Sequence, residues 1–383
     1  MRKICAVVTA RPSYSRIKTA LAAIRDHQDL TLQLVVAGAA LLDRYGNAVE
    51  FIERDGFTID EKVFMVLEGE NKTAMAKTTG LGVMELANVF YNLQPDAVIT
   101  IADRYETIAT SIAAAYQNIP LIHIQGGEVT GNIDEKVRHA NTKLADIHLV
   151  ASDDAYQRVL KLGEEPDQVY NVGCPSIDLA HEVVNSPELD FDPIDKYGGV
   201  GHDFDVNEPY IVVMQHPVTT EYSEAKNDIL KTLQAVTELG INTYWFWPNV
   251  DAGSDGTSNG IRAFREKNKN NKLRFFKNME PNDFLRLLIN SQCLIGNSSV
   301  GIRECAYMGV PVVNIGSRQN RRERGNNVLD VTYDKDEIKK AIQQQIDTRE
   351  ITRSKVYGDG KSGHKIADLL SSINLPFHKT ITY

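Results

Sequence analysis

Apolar residues along the chain follow two alternating periods. Ile4–Thr9, Leu32–Ala37, Ala97–Ile101, Leu121–Ile124 and Ile147–Val150 are short, continuous apolar runs, as expected of strands buried on both faces. Between them, ARPSYSRIKTALAAIRD, Thr73–Leu93 and Thr107–Gln117 carry apolar residues at helical spacing. The alternation resumes with strands Tyr210–Met214, Thr243–Phe246 and Leu273–Phe276, and with helices Ser223–Leu239, Gly260–Lys267 and Pro281–Ile289. Asp334–Asp347 and Gly363–Ile373 read as the last helices, and Asp251–Asn259 as a loop of small residues. Ser186–Pro209 breaks the pattern with prolines, a glycine pair and acidic residues. The expectation is an α/β protein of two doubly wound halves facing across a cleft, 1–185 and 209–383. Residues 186–208 form a linker or surface excursion, and the last helix is a candidate to pack back on the N-terminal domain.

Length and composition agree with two domains. The 383 residues are 42% apolar and 24% charged, within the range of soluble globular proteins. A net charge of −9 argues against a nucleic-acid binder, whose electrostatic footprint is basic. The four cysteines have neither CxxC nor Cys/His spacing, so neither a metal site nor a disulfide framework is expected. No signal-peptide apolar region precedes the first strand and no apolar run is long enough to span a bilayer, so a cytoplasmic protein is expected.

Candidate chemistry concentrates in the loops after the strands, where open α/β sheets bind ligands. Gln292–Gly309 (QCLIGNSSVGIRECAYMG) reads as a buried strand, a polar turn and a helix starting near Val300. Asn297, Ser298 and Ser299 at such a helix start offer unpaired amides and hydroxyls to an anion, with Arg303 and Arg318 as cations. Four more loops carry surplus polar groups: Arg11–Ser15, Ala102–Glu106, Gln125–Glu128 running on through Asp134, and Gln215 to Thr220 around His216. Each has an ordinary reading. Asp103 can be a helix-start carboxylate, and Gly126-Gly127 a tight turn. Asp134, Arg138 and His139 can be a solvated helix face, and His216 a plain loop histidine. Their shared position at strand ends in both halves favours a site with acids, a histidine and a phosphate pocket.

The stretches GGEVTGNIDEKVRHANTKLADIH, QHPVTTE, PNVDAGS, GNSSVGIREC and GSRQNRRERGNNV closely resemble the hydrolysing UDP-N-acetylglucosamine 2-epimerases. These include bacterial enzymes of sialic and legionaminic acid synthesis and the epimerase half of the animal bifunctional enzyme. The resemblance runs from Arg2 to about Gly360. It implies a glycosyltransferase-B-like pair of Rossmann-like domains, a UDP-sugar substrate, no cofactor or metal, and a homodimer or homotetramer. Relatives eliminate UDP across C1–C2 to give a 2-acetamidoglucal, then hydrate it to free N-acetylmannosamine or an analogue. Carried onto this chain, the resemblance puts the diphosphate on Ser298 and Ser299, with Arg11 and Arg318 nearby. Ser13, Ser15 and Asn249 would line the nucleotide site, and Glu304 would contact a sugar hydroxyl. Asp103, Asp134 and His216 match catalytic or close sugar positions, with Arg104 beside the first and Glu128 a further carboxylate.

Two positions depart from the family pattern. Ser13 stands where the family usually has an aspartate, and Gln125 where it often has glutamate or histidine. Glutamine exchanges no proton at neutral pH, so acid–base duty there passes to Asp103, Asp134 or Glu128, or the sugar substrate differs. The competing readings are a non-hydrolysing 2-epimerase, a glycosyltransferase of the same architecture, and a sugar-nucleotide-binding protein with altered catalysis. Arg262 and Arg265 match positions where animal relatives bind a feedback inhibitor.

Overall fold

The computed structural model describes all residues except 43–47, 69–71, 130–132, 219–223, 249–253, 269–270, 349–350, 377–378 and 383, together with the side chains of 133, 254 and 255. The chain divides into two units, Met1–Asp178 with Tyr357–Tyr383, and Leu179–Val356.

The first unit runs β1 Arg2–Val8, α1 Arg11–Asp26, β2 Leu30–Ala37, α2 Ala48–Arg54, β3 Glu61–Val63, α3 Lys72–Leu93, β4 Ala97–Ile101, α4 Thr107–Tyr116, β5 Leu121–Ile124, α5 Ile133–Leu144, β6 Ile147–Val150, α6 Asp153–Lys161 and β7 Val169–Asn171. Its seven strands lie in the order β3-β2-β1-β4-β5-β6-β7, every pair parallel. The order reverses between β1 and β4, which defines a topological switch point. The runs that alternate faces explain the two cores. Ile4, Ala6 and Val8 pack under α1 with Ile17, Leu21 and Ile24, while Cys5 and Val7 face Leu86, Phe90 and Ala113 of α3 and α4.

Helix α7, Ser176–Asn185, crosses the boundary between the units. The second unit continues with α8 Pro193–Tyr197, β8 Val200–Gly201, β9 Tyr210–Met214, α9 Ala225–Leu239, β10 Asn242–Phe246, α10 Ser254–Lys267, β11 Leu273–Phe276, α11 Pro281–Ile289, β12 Leu294–Gly296, α12 Ser299–Ile302, α13 Glu304–Met308, β13 Val312–Ile315, β14 Val328–Val331 and α14 Lys335–Asp347. The sheet order is β14-β13-β12-β9-β10-β11-β8, with β8 antiparallel to β11 and the other pairs parallel. Here the switch point lies between β9 and β12. The closing helix α15, Ser362–Ser372, belongs to the first unit. Asp178 accepts from the Ser362 and Gly363 amides at 2.8 and 2.7 Å and from Thr19 Oγ1 at 3.0 Å, tying α15 to α1.

Residues 186–208 contain α8, whose first amides are capped by Asp192, and the edge strand β8. Two local expectations are corrected. Ser254–Asn259 belong to α10 rather than to a loop. Packing overrides their poor helix propensity: Thr257 is buried, and a Cβ on Gly260 would come 2.7 Å from Ile229 of α9. The helix expected near Val300 is two short pieces, α12 and α13. They are broken at Arg303, whose ψ of −74° departs from the regular helical value.

Candidate active site

In the first unit, chemistry gathers at the carboxyl ends of β4 and β5. After Ile101, Ala102 adopts φ +56°, a left-handed conformation uncommon for alanine. It is held on both sides: its N–H donates to Ile124 O at 2.9 Å, and its C=O lies 2.9 Å from His123 Nε2. A carbonyl only accepts, so Nε2 carries the proton and Nδ1 accepts from Thr142 Oγ1 at 3.1 Å. Burial pushes the His123 pKa down to about 3, so the ring is a neutral strut. Gly126 is required beside it, since a Cβ there would come 2.9 Å from His123 Nδ1.

The inverted backbone presents Asp103 to Arg138 of α5. Their carboxylate and guanidinium are in direct contact, with Arg138 only 1% exposed. Arg138 Nη1 also donates to Glu128 O at 2.7 Å, so one guanidinium ties two loops. This corrects the solvated-face reading of Asp134, Arg138 and His139. His139 Nε2 lies 3.5 Å from Glu135 on the helix surface, and Asp134 sits partly exposed in the first turn of α5. Arg104 Nε donates to Glu106 Oε1 at 2.7 Å, and Glu106 is itself buried. Gln125, at φ +65° and buried, donates through Nε2 to Cys174 Sγ at 3.0 Å. Arg11, Ser13 and Ser15 open α1, after the strand that pairs with β4. The Arg11 guanidinium stacks 4.3 Å over Phe51, Ser13 is buried, and Ser15 Oγ donates to Arg11 O at 3.3 Å.

In the second unit the organiser is Asn297, fully buried after β12. Its Oδ1 accepts from the His216 amide at 2.7 Å and its Nδ2 donates to His216 O at 2.9 Å, so it pairs with that backbone much as a strand would. Its own carbonyl accepts from Arg318 Nη1 at 3.2 Å and Gln319 Nε2 at 2.9 Å. Gly296, at φ +132°, permits the approach, because a Cβ would come 2.1 Å from Met214 O. The next residue, Ser298, caps α12 by accepting from the Val300 amide at 3.4 Å. Ser299 Oγ accepts from Arg303 Nη2 at 3.0 Å, and Arg303 Nε lies 3.9 Å from buried Glu304. With α12 only four residues long, the positive character here comes from arginines and hydroxyls more than from a helix dipole. His216 is held neutral, its pKa lowered to about 3 by burial and then by the Arg318 charge. Asn249 and residues 219–223 of the His216 loop lie outside the described residues.

A family profile described as UDP-N-acetylglucosamine 2-epimerase matches residues 22–371, most of the chain. The chain belongs to that family. It is 33% identical over 381 residues to the "UDP-N,N'-diacetylbacillosamine 2-epimerase (hydrolyzing)" of Legionella pneumophila, covering 100% of this chain and 98% of the relative. It is 33% identical over 358 residues to "Polysialic acid biosynthesis protein P7" of Escherichia coli, covering 92% and 88%. Among solved structures, the UDP-GlcNAc 2-epimerase of Neisseria meningitidis bound to UDP-GlcNAc superposes with a TM-score of 0.78 at 19% identity, covering 96% of this chain and 99% of that one.

This 2-epimerase family member thus carries two prepared clusters. One ties Asp103 and the Glu128 carbonyl to Arg138, with Arg104 and Gln125 on the same two loops; the other joins His216 and Arg318 to Asn297, next to Ser298 and Ser299. Sequence reasoning weighs Arg138 as a solvated ion pair and places Asn297 in an anion-binding helix start, and it assigns no individual role to Glu106 or His123. Asn297 could have been found from its place between an obligatory glycine and a serine pair. Arg138 carried no such signal, because its i+4 spacing from Asp134 is what surface ion pairs show. Among the described residues no group of three or more His, Cys, Asp or Glu side chains is arranged to hold a metal ion, and no helix is long and apolar enough to cross a membrane.

Proposed function

We propose that the chain is a hydrolysing 2-epimerase acting on UDP-N-acetylglucosamine or a closely related UDP-2-acetamido sugar. The observation that carries this reading is the Asp103 turn. A carboxylate on an inverted backbone, fixed by a buried arginine, suits removal of the weakly acidic C2 proton, which a simple glycosyl transfer does not need. As that proton passes to the base, the C1–O bond to UDP breaks and a C1=C2 double bond forms. Water then adds, its hydroxyl to C1 and a proton to C2 from the opposite face, releasing the free 2-epimeric sugar.

Asp103 is the base in this scheme, and Asp134 and Glu128 are the candidates for the acid. Gln125, which donates to a thiol and neither gains nor loses a proton at neutral pH, orients the sugar, beside Arg104. Ser298, Ser299 and Arg318 hold the diphosphate as charge builds on it, with Arg11, Ser13, Ser15 and Asn249 along the nucleotide and Glu304 on a hydroxyl. Neutral His216 is suited to accept or donate one hydrogen bond without adding charge. The name of the Legionella pneumophila relative specifies hydrolysis, which favours release of UDP over its return. Its bacillosamine substrate makes a sugar modified away from C2 a natural member of the test panel.

The test is incubation with UDP-N-acetylglucosamine, and with UDP sugars modified at C4 and C6, in deuterated water under NMR. Free UDP together with a 2-epimeric sugar deuterated at C2 is the expected outcome. A deuterated UDP-sugar with UDP retained would place the chain with non-hydrolysing 2-epimerases. Binding of UDP with every sugar left intact would overturn the reading.

A further inference from the structure

Helix α5 is the beam from which the Asp103 turn is hung. Arg138 reaches Asp103 and Glu128 O, Asn141 Nδ2 donates to Thr107 Oγ1 at 2.8 Å, and Thr142 Oγ1 supports His123 at 3.1 Å. Asn141 Oδ1 also accepts from Ser111 Oγ at 2.7 Å, so α4 is held by the same helix. The C-terminal end of α5 is gripped by a residue more than two hundred positions away. Lys379 Nζ donates to Ala145 O and, at 3.3 Å, to Thr142 O, and is in direct contact with the Glu164 carboxylate. Glu164 is almost fully buried and also receives Lys143 Nζ at 2.7 Å and His148 Nε2 at 2.9 Å.

The segment bearing Lys379 is itself fastened. The Thr382 amide donates to Gly163 O at 3.1 Å, Thr382 Oγ1 to Glu164 O at 3.2 Å and Thr380 Oγ1 to Glu165 at 3.0 Å. Gly163 lies so close beneath that a Cβ on it would come 2.8 Å from Ile381. A cation on the terminal carbonyls of a helix fixes its last turn and complements its dipole. Thr142, whose carbonyl Lys379 touches, is the same residue whose hydroxyl steadies His123 and hence Ala102 O.

We propose that Lys379 is a positioning residue for the Asp103 turn, acting through α5 from the end remote from Asp134. The proposal rests on the reading of that turn as the proton-abstracting part of the site. It predicts that loosening the α5 C-terminus slows proton abstraction without weakening substrate capture.

The experiment compares the full chain with K379M, which keeps the apolar stem, and K379R, which keeps the cation. Steady-state kinetics and amide exchange are read well below the unfolding temperature. K379M is expected to lower kcat roughly tenfold with KM changed by less than about twofold. Amide exchange should quicken at 102–106 and 138–142, and K379R should restore most of both. An unchanged kcat, or faster exchange confined to 163–165 and 379–382, would overturn the proposal even if K379M melts earlier. Should the wild-type chain turn over no UDP sugar, the proposed activity fails, while exchange at 102–106 still decides whether Lys379 reaches the turn.

Discussion

At the residue scale, the Asp103–Arg138 pair shows how a buried charge is tolerated where it is useful. Removing either partner takes this charge-to-charge contact from the other, which stays desolvated. Arg138→Met is therefore expected to cost about 3 kcal/mol of stability in a urea titration. It should also lower kcat roughly a hundredfold as Asp103 loses its orientation. The candidate site was legible in the sequence where residue type and strand-end position coincide, as for Asp103, Ser298 and Arg318, which the structure places at such ends. Their roles rest on the kinetics proposed above. His123 received no role and the buried pairing of Arg138 was not anticipated, because what singles them out is burial and a partner distant in sequence, and neither leaves a local pattern. The left-handed Ala102 was equally unreadable, since alanine carries no signal for that conformation.

At the scale of elements, the second cluster is a junction of three loops on one residue: the Asn297 side chain pairs with the His216 backbone and its carbonyl accepts from Arg318 and Gln319. Asn297→Asp preserves shape but sets a carboxylate oxygen against the His216 carbonyl, where Nδ2 now donates. A lost donor that leaves a buried acceptor unmet costs about 1–3 kcal/mol. The loops after β9 and β12 should separate, and calorimetry should show UDP binding weakened about tenfold or more. The long strands were readable because a strand buried on both faces is a continuous apolar run. The short edge strands were not. In β3 the residues Glu61 and Lys62 are exposed, and β14 is only partly covered, so neither shows the apolar run that marks a central strand.

At the scale of the whole molecule, His123, His216 and Glu164 respond to acid with one sign. His123 and His216 have folded pKa values of about 3 against 6.5 for the free side chain. The unfolded chain therefore binds more protons than the folded one between those values, and stability is lost as pH falls through that window. Glu164 acts with the same sign lower down. Burial raises its pKa, but hydrogen bonds from His148, Lys143 and Lys379 outweigh that and bring it from 4.5 to about 2. Each neutral histidine steepens the dependence by about 1.4 kcal/mol per pH unit once the unfolded ring is fully protonated. Urea midpoints should thus hold steady above pH 7 and fall below it, with a shallower slope for His123→Gln between pH 6 and 4. The division of the chain has a further consequence during synthesis. The second unit is one continuous stretch, whereas the first needs Tyr357 onward, including α15 and the Lys379 grip, to be whole. On the ribosome, the part translated earliest is therefore the part finished last. Its β1–α1 face waits for α15 while the later-made unit already has every strand it requires.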